Sequence, residues 1–192
     1  MNILAYECKS QFKSFLSWTI GLVGGFLLFV LAFYGAFMNA QAAVEQALAS
    51  LPPAFAAVFG VEVKNIFTFG GFFSFANTYV GLAGAIMAAV TGLAVFAREK
   101  RNKCEDFLLV KPLRRGAIFG WKLLACVGIL VVFNALYLGA VLAAYAANGA
   151  GPEGYARVAL AGASLFFLQM VYLSIAVLYA TLAKKVRSVS GT

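Results

Sequence analysis

The sequence predicts an all-α membrane protein, a polytopic bundle of four transmembrane helices, and three observations support this fold class. The 192 residues are 63% hydrophobic and only 11% charged, whereas a soluble domain has about a quarter charged residues. Four apolar runs exceed the roughly 18 residues that indicate a membrane-spanning helix. None of them alternates polar and apolar residues with the period of a strand, which favours helices over a barrel. We place the spans at residues 15–38, 76–97, 123–147 and 158–182.

The positive charges follow the order of the spans. Thirteen of the fifteen Lys and Arg residues lie in segments 1–14, 98–122 and 183–192, and the other two, Lys64 and Arg157, lie in segments 39–75 and 148–157. Cytoplasmic loops of membrane proteins carry such an excess of Lys and Arg. We therefore expect both termini in the cytoplasm, and the net charge of +8 needs no nucleic acid to explain it.

Residues 1–14 are too polar to span a membrane. Leu4, Ala5, Cys8, Phe12 and Phe15 share one face of a helical wheel, which predicts an amphipathic helix in the inner membrane interface. A frayed terminus is the alternative interpretation.

The first span, residues 15–38, is longer than the apolar region of a signal peptide, so we interpret it as uncleaved. Its Gly21 and Gly25 have the GxxxG spacing that lets another helix approach closely. The outer segment, residues 39–75, contains "NIFTFGGFFSF", which predicts short helices against the outer membrane face or a re-entrant piece. Its Phe side chains either anchor the segment to lipid or line the mouth of a pathway.

The remaining spans carry few polar residues. Small residues, among them Gly81 and Gly84, predict that the second span packs against other helices. Asn134 and Gln169 fall near mid-span, where an amide either bonds a neighbouring helix or binds a substrate. The spans contain no Asp, Glu, Lys or Arg and the chain no His. This argues against an ion-coupled carrier and against an intramembrane enzyme, so we expect no catalytic, cofactor or metal residues in this chain.

The loop at residues 98–122 holds eight of the Lys and Arg residues, which fix topology, but also three acidic residues, which topology does not need. Asn102 can cap a helix and Pro112 ends it, which predicts a short helix at residues 103–110. Trp121 and Lys122 follow as interfacial anchors of the third span. A short helix of mixed charge suits a protein partner.

The order of these elements resembles the permease subunit of an ABC-2 type transporter. The family pattern resembles E-(x)-G-T-x-E-x-L-L-x-x-P-(V/L)-S-R-x-x-I-x-x-x-K, with Asn102-Lys103 here in place of Gly-Thr and Arg114 in place of Ser. The matching positions are Glu99, Glu105 or Asp106, Leu108, Leu109, Pro112, Arg114 or Arg115, Ile118 and Lys122.

This resemblance implies that helix 103–110 is a coupling helix seated in a groove of a separate cytoplasmic ABC ATPase, which would bind the ATP and Mg²⁺. The chain itself has no GxxxxGK[ST] loop. The implied contact residues are Glu99, Lys103, Glu105, Asp106, Phe107, Leu108, Leu109, Pro112, Arg114 and Arg115. The resemblance also implies an exporter in a bacterial or archaeal cell membrane, with two permease subunits forming one pathway as a homodimer or a similar heterodimer.

Two alternatives stay open. Members of this family usually have six spans, so we expect residues 183–192 to be a truncated cytoplasmic tail, with a further apolar run beyond it; a natural four-span form is the alternative. A structural membrane subunit that anchors partner proteins without moving a substrate would also explain the loop. Co-purification with an ATPase would separate that function from transport.

Overall fold

The computed structural model describes residues 3–39, 68–98, 115–148 and 154–183, together with residue 46. These residues are almost entirely helical, with no strand among them. Four helical stretches of the described chain are long and apolar enough to cross a membrane. The predicted all-α membrane bundle is thereby confirmed.

The first span is one helical run with a change of geometry inside it. Helix α1 (Ile3–Thr19) passes into a π-helical segment (Ile20–Gly24) and then into α2 (Gly25–Asn39). The residues that flank the π-helical segment have right-handed helical dihedral angles, so the run has no break. The predicted boundary between an interfacial helix at 1–14 and a span at 15–38 is therefore a change of composition within one helix.

Helix α1 turns a side of mixed polar and apolar composition towards the bundle. Glu7 and Gln11 are buried, whereas Tyr6 and Phe12 are more than half exposed. The same helix packs against α4 (Arg115–Ala147). Phe12 belongs to the predicted apolar face, but Phe15 of the same face packs against the core. The predicted apolar face is therefore divided between the bundle and the outer surface.

Helix α3 (Phe69–Phe96) begins at residue 69 rather than at the predicted 76. The side-chain oxygen of Thr68 accepts a hydrogen bond from the backbone N–H of Gly71 at 3.1 Å, which caps the helix. Phe69 and Phe73 are buried in the core, and so is Phe72. These three residues pack against other helices of the same chain and so do not act as lipid anchors or as the mouth of a pathway. Phe75 of the same run is exposed.

Helices α4 and α5 (Tyr155–Leu182) complete the bundle, and each begins earlier than the predicted spans at 123 and 158. Helix α5 packs most extensively against α3, where glycines allow a close approach. A Cβ atom added at Gly84 would lie 2.9 Å from Cδ1 of Leu165, and one at Gly92 would lie 3.0 Å from Cδ1 of Leu173. This is the packing that small residues in the second span predict.

Spans that are consecutive in the chain run antiparallel, whereas α3 and α5 run parallel, with Gly84 beside Leu165 and Gly92 beside Leu173. The bundle has two chemically different ends. One end gathers aromatic rings: Tyr34 and Phe72 lie 5.4 Å apart between centroids, Phe69 and Tyr145 5.2 Å apart. The other end gathers the beginning of α1, the end of α3 and the beginning of α4, and the charged residues described next lie there.

Candidate functional site

Three charged side chains meet at the end of the bundle where α1 begins. Glu7 of α1 is buried, with 2% of its surface exposed. Its Oε2 lies 3.0 Å from Nη1 of Arg98, and its Oε1 lies 4.0 Å from Nζ of Lys122. The contact with Arg98 is an ion pair whose atoms are not aligned as a hydrogen bond. We call these three residues the Glu7 cluster.

The two cations of the Glu7 cluster are also held by neighbouring groups. Lys122 donates a hydrogen bond to the carbonyl oxygen of Val95 at 3.1 Å, in the last turn of α3. Its ammonium group lies 5.9 Å from the ring centroid of Phe96, and the guanidinium of Arg98 lies 5.8 Å from that of Tyr6. Lys122 is therefore buried within the chain rather than directed outward as an interfacial anchor would be, whereas Trp121, the other predicted anchor, is exposed.

The Glu7 cluster brings together the two ends of the loop between α3 and α4. Arg98 immediately precedes residues 99–114, and Lys122 lies two turns into the helix that follows them. The predicted coupling helix lies outside the described residues. So do nine of its predicted contact residues: Glu99, Lys103, Glu105, Asp106, Phe107, Leu108, Leu109, Pro112 and Arg114. Arg115 is described only as the first residue of α4. The Glu7 cluster thus joins α1 to a residue on either side of this loop.

A second polar site lies at mid-span. Nδ2 of Asn134 donates to Oε1 of Gln169 at 2.6 Å, which joins α4 to α5, and also to the carbonyl oxygen of Leu130 at 2.8 Å. Within the described part of the chain, Oδ1 of Asn134 and Nε2 of Gln169 are buried without a hydrogen-bond partner. Nε2 of Gln169 would lie 3.0 Å from a Cβ added at Gly84. These candidate residues therefore form one contact among three helices.

The predicted glycines of the first span lie elsewhere, on an open surface. Nothing in the described chain lies within 4 Å of a Cβ added at Gly21 or Gly25. Both line an apolar cavity of about 420 Å³ between the first helical run and α3, whose lining includes Phe26, Phe75 and Tyr79. Gly81, by contrast, faces α5, and a Cβ added there would lie 3.4 Å from Cδ2 of Leu168.

Sequence reasoning missed Glu7 and Arg98 as site residues. On a helical wheel Glu7 falls on the polar face of α1, and such a face is ordinarily solvated. Two signals could have found it. Glu7 is the one acidic residue of segment 1–14, and two cations, Arg98 and Lys122, bound the loop that lies at the same predicted membrane face.

Comparison with known proteins gives one result. A family model described as "ABC-2 family transporter protein" matches residues 1–191. No curated protein and no solved structure matches the chain.

Proposed function

The chain belongs to the ABC-2 family of transporter proteins, and from this premise we propose that it is the permease subunit of an ATP-driven exporter. The match over residues 1–191 carries the proposal. The four apolar helices and the family match together indicate a multi-pass membrane protein. The family is a transport component rather than a catalytic one. The ABC-2 family generally implies association with an ABC ATPase.

The loop between α3 and α4 is the proposed point of coupling. Helix 103–110 would seat in a cytoplasmic ATPase, with Glu105, Asp106, Phe107 and Leu108 in contact with it. Closure of two ATPase subunits around ATP and Mg²⁺ would displace this helix and shift the spans between inward-open and outward-open arrangements. The ion pairs at the base of the loop support this proposal, because a loop that transmits force needs ends fixed to the bundle.

The remaining proposals follow from the family and from the charge distribution. Two permease subunits, identical or similar, would form the pathway. The excess of Lys and Arg in segments 1–14, 98–122 and 183–192 supports the proposal that the α1 end of the bundle and both termini of this chain lie on the cytoplasmic side of a bacterial or archaeal cell membrane. Export, rather than uptake, is the direction that the resemblance favours.

The test is to isolate the native complex under mild solubilisation, identify the proteins that accompany the chain, and measure ATP hydrolysis. We expect an ABC ATPase, and we expect Glu105→Lys with Asp106→Lys to abolish its stimulation by the permease. The matched control, Glu62→Lys with Glu153→Lys, makes the same change of charge in segments predicted to be external and should leave stimulation intact. A chain that purifies as a monomer with no nucleotide-binding protein would refute the proposal and favour a structural membrane subunit.

A further inference from the structure

The Glu7 carboxylate is shared between two parts of the bundle. One oxygen faces Arg98, at the end of α3, and the other faces Lys122, near the beginning of α4. Only 3% of the Glu7 side chain is exposed, against 14% for Arg98 and 7% for Lys122. A charge this deeply buried is stable only when oppositely charged groups surround it. Glu7 therefore fixes α1 to both ends of the loop at 99–114.

The links within the Glu7 cluster are not equivalent. Lys122 also bonds the carbonyl oxygen of Val95, which joins α3 to α4 without using Glu7. Neutralising Glu7 should therefore loosen the beginning of α1 from α3 and α4 while the two ends of the loop stay close to each other. This asymmetry separates the role of Glu7 from a general loss of packing.

Helix α1 is continuous with the first span. The run from Ile3 to Asn39 has no break, so a displacement of α1 is carried along the same helix into α2. We infer that Glu7 is a positioning residue. Its ion pairs attach α1 to Arg98 and Lys122 on either side of the loop, so movement imposed on the loop reaches the first span through α1. The ion-pair half of this inference stands alone, whereas the transmission half rests on the proposed coupling to an ATPase.

The ion-pair half is tested on the full chain in lipid nanodiscs, without an ATPase. In a background with Cys8, Cys104 and Cys126 replaced by Ser or Ala, nitroxide labels at Ser10 and Ala117 report the α1–α4 distance by pulsed electron resonance. Labels at Ala94 and Ala117 report the α3–α4 distance. The labelled positions on α1 and α4 are exposed, and Ala94 is partly buried.

We expect Glu7→Gln to replace the single narrow α1–α4 distance by a broad distribution and to leave the α3–α4 distance unchanged. Arg98→Gln removes only the pair with α3 and leaves the contact of Glu7 with Lys122, so it should broaden the α1–α4 distance less than Glu7→Gln does. The double variant should be no worse than Glu7→Gln alone, because Glu7→Gln already removes the ion pair of Arg98. Lys13→Gln, which neutralises an exposed charge on the same helix, is the matched control. Unchanged α1–α4 distances, or additive effects of the two substitutions, would overturn the inference.

The transmission half is tested in the complex with its ATPase. Labels at Leu31 and Leu160, exposed residues of α2 and α5, report movement of the first span when ATP and Mg²⁺ are added. We expect the movement in the unsubstituted chain and its loss in Glu7→Gln, with the ATPase still bound. Persistence of the movement in Glu7→Gln would refute transmission through α1. Failure of any ATPase to bind the unsubstituted chain would refute the proposed function instead, while the α1–α4 distances still decide the role of the ion pair. Should Glu7→Gln fail to fold, Arg98→Gln, which alters the more exposed partner, tests the link from α1 to α3 with labels at Ser10 and Ala94, and the labels at Leu31 and Leu160 again report the first span.

Discussion

The hydrogen bond between Asn134 and Gln169 allows a quantitative test of how polar side chains hold these helices together. We consider Asn134→Leu and Gln169→Met, two changes that keep the size and approximate shape of each side chain, and the double variant. Asn134 uses both hydrogens of its Nδ2 atom, one for Gln169 and one for Leu130. Gln169 is fully buried, and Oε1 is the atom through which it contacts Asn134.

The two single variants should differ in cost. Asn134→Leu takes the donor from Oε1 of Gln169, whose Nε2 already lacks a partner among the described residues, and so leaves a whole amide unpaired in the core. A buried polar group without a partner costs about 1–3 kcal/mol, and we expect about 2 kcal/mol of lost stability. Gln169→Met leaves Asn134 its bond to Leu130 and should cost about 1 kcal/mol. The double variant removes both amides and should be more stable than Asn134→Leu alone, because replacing both partners by apolar groups is nearly neutral.

The free energy of unfolding is measured by titrating the full chain in mixed micelles with a denaturing detergent and following helicity. Leu136→Met, at a half-exposed position on α4, is the control and should change little. A coupling energy of about 1–2 kcal/mol is expected, since interhelical hydrogen bonds in membranes reach roughly this value. Strictly additive costs, or a double variant less stable than either single one, would refute the reasoning that the two amides depend on each other.

The same titration checks three further predictions. Gly84→Val should lower the free energy of unfolding by about 1–3 kcal/mol, because α5 side chains lie within contact distance of the added atoms. Gly21→Val, whose surroundings in the described chain are open, should change it by no more than about 0.5 kcal/mol. Equal costs of the two substitutions would contradict this. Thr68→Ala removes the cap of α3 and should cost about 1 kcal/mol, with Thr68→Ser as the variant that retains it. Tyr137→Phe loses the 2.8 Å hydrogen bond to Oδ1 of Asn77 and should also cost about 1 kcal/mol, but not when Asn77 is already replaced by Ala.

Hydropathy is sufficient to predict the four spans because length and apolar composition are properties of single segments. The beginning of α3 was mispredicted because five Phe residues around a Gly pair suit a surface turn as well as a helix. The cap formed by Thr68 and the burial of Phe69 and Phe73 decide between these structures. Burial of this kind depends on neighbours that lie far away in the sequence.

The Glu7 cluster could not be predicted for the same reason. Its members are separated by about 90 and 115 positions in the sequence, and helical periodicity reports only on residues within a few turns of each other. The sequence does predict that Asn134 and Gln169 need hydrogen-bond partners, because both amides lie at mid-span. That they bond each other follows only from the packing of α4 on α5. The placement of Lys and Arg along the chain, by contrast, predicts which helix ends lie on the same side of the membrane.

The π-helical segment at Ile20–Gly24 sets the rotational phase between the two halves of the first span. Each α-helical residue turns the chain by about 100°, and the wider turn of a π-helix accommodates an additional residue. The phase set here allows Glu7 on one side and Phe26 and Val30 on the other to face the bundle together. Deleting one residue from this segment would restore a regular α-helix and keep this phase. An α-helical segment that kept all its residues would instead rotate one half relative to the other by about 100°, so either the carboxylate or the two apolar side chains would turn outward. The π-helical geometry of this short segment is therefore as much a determinant of the charged end as the charges themselves.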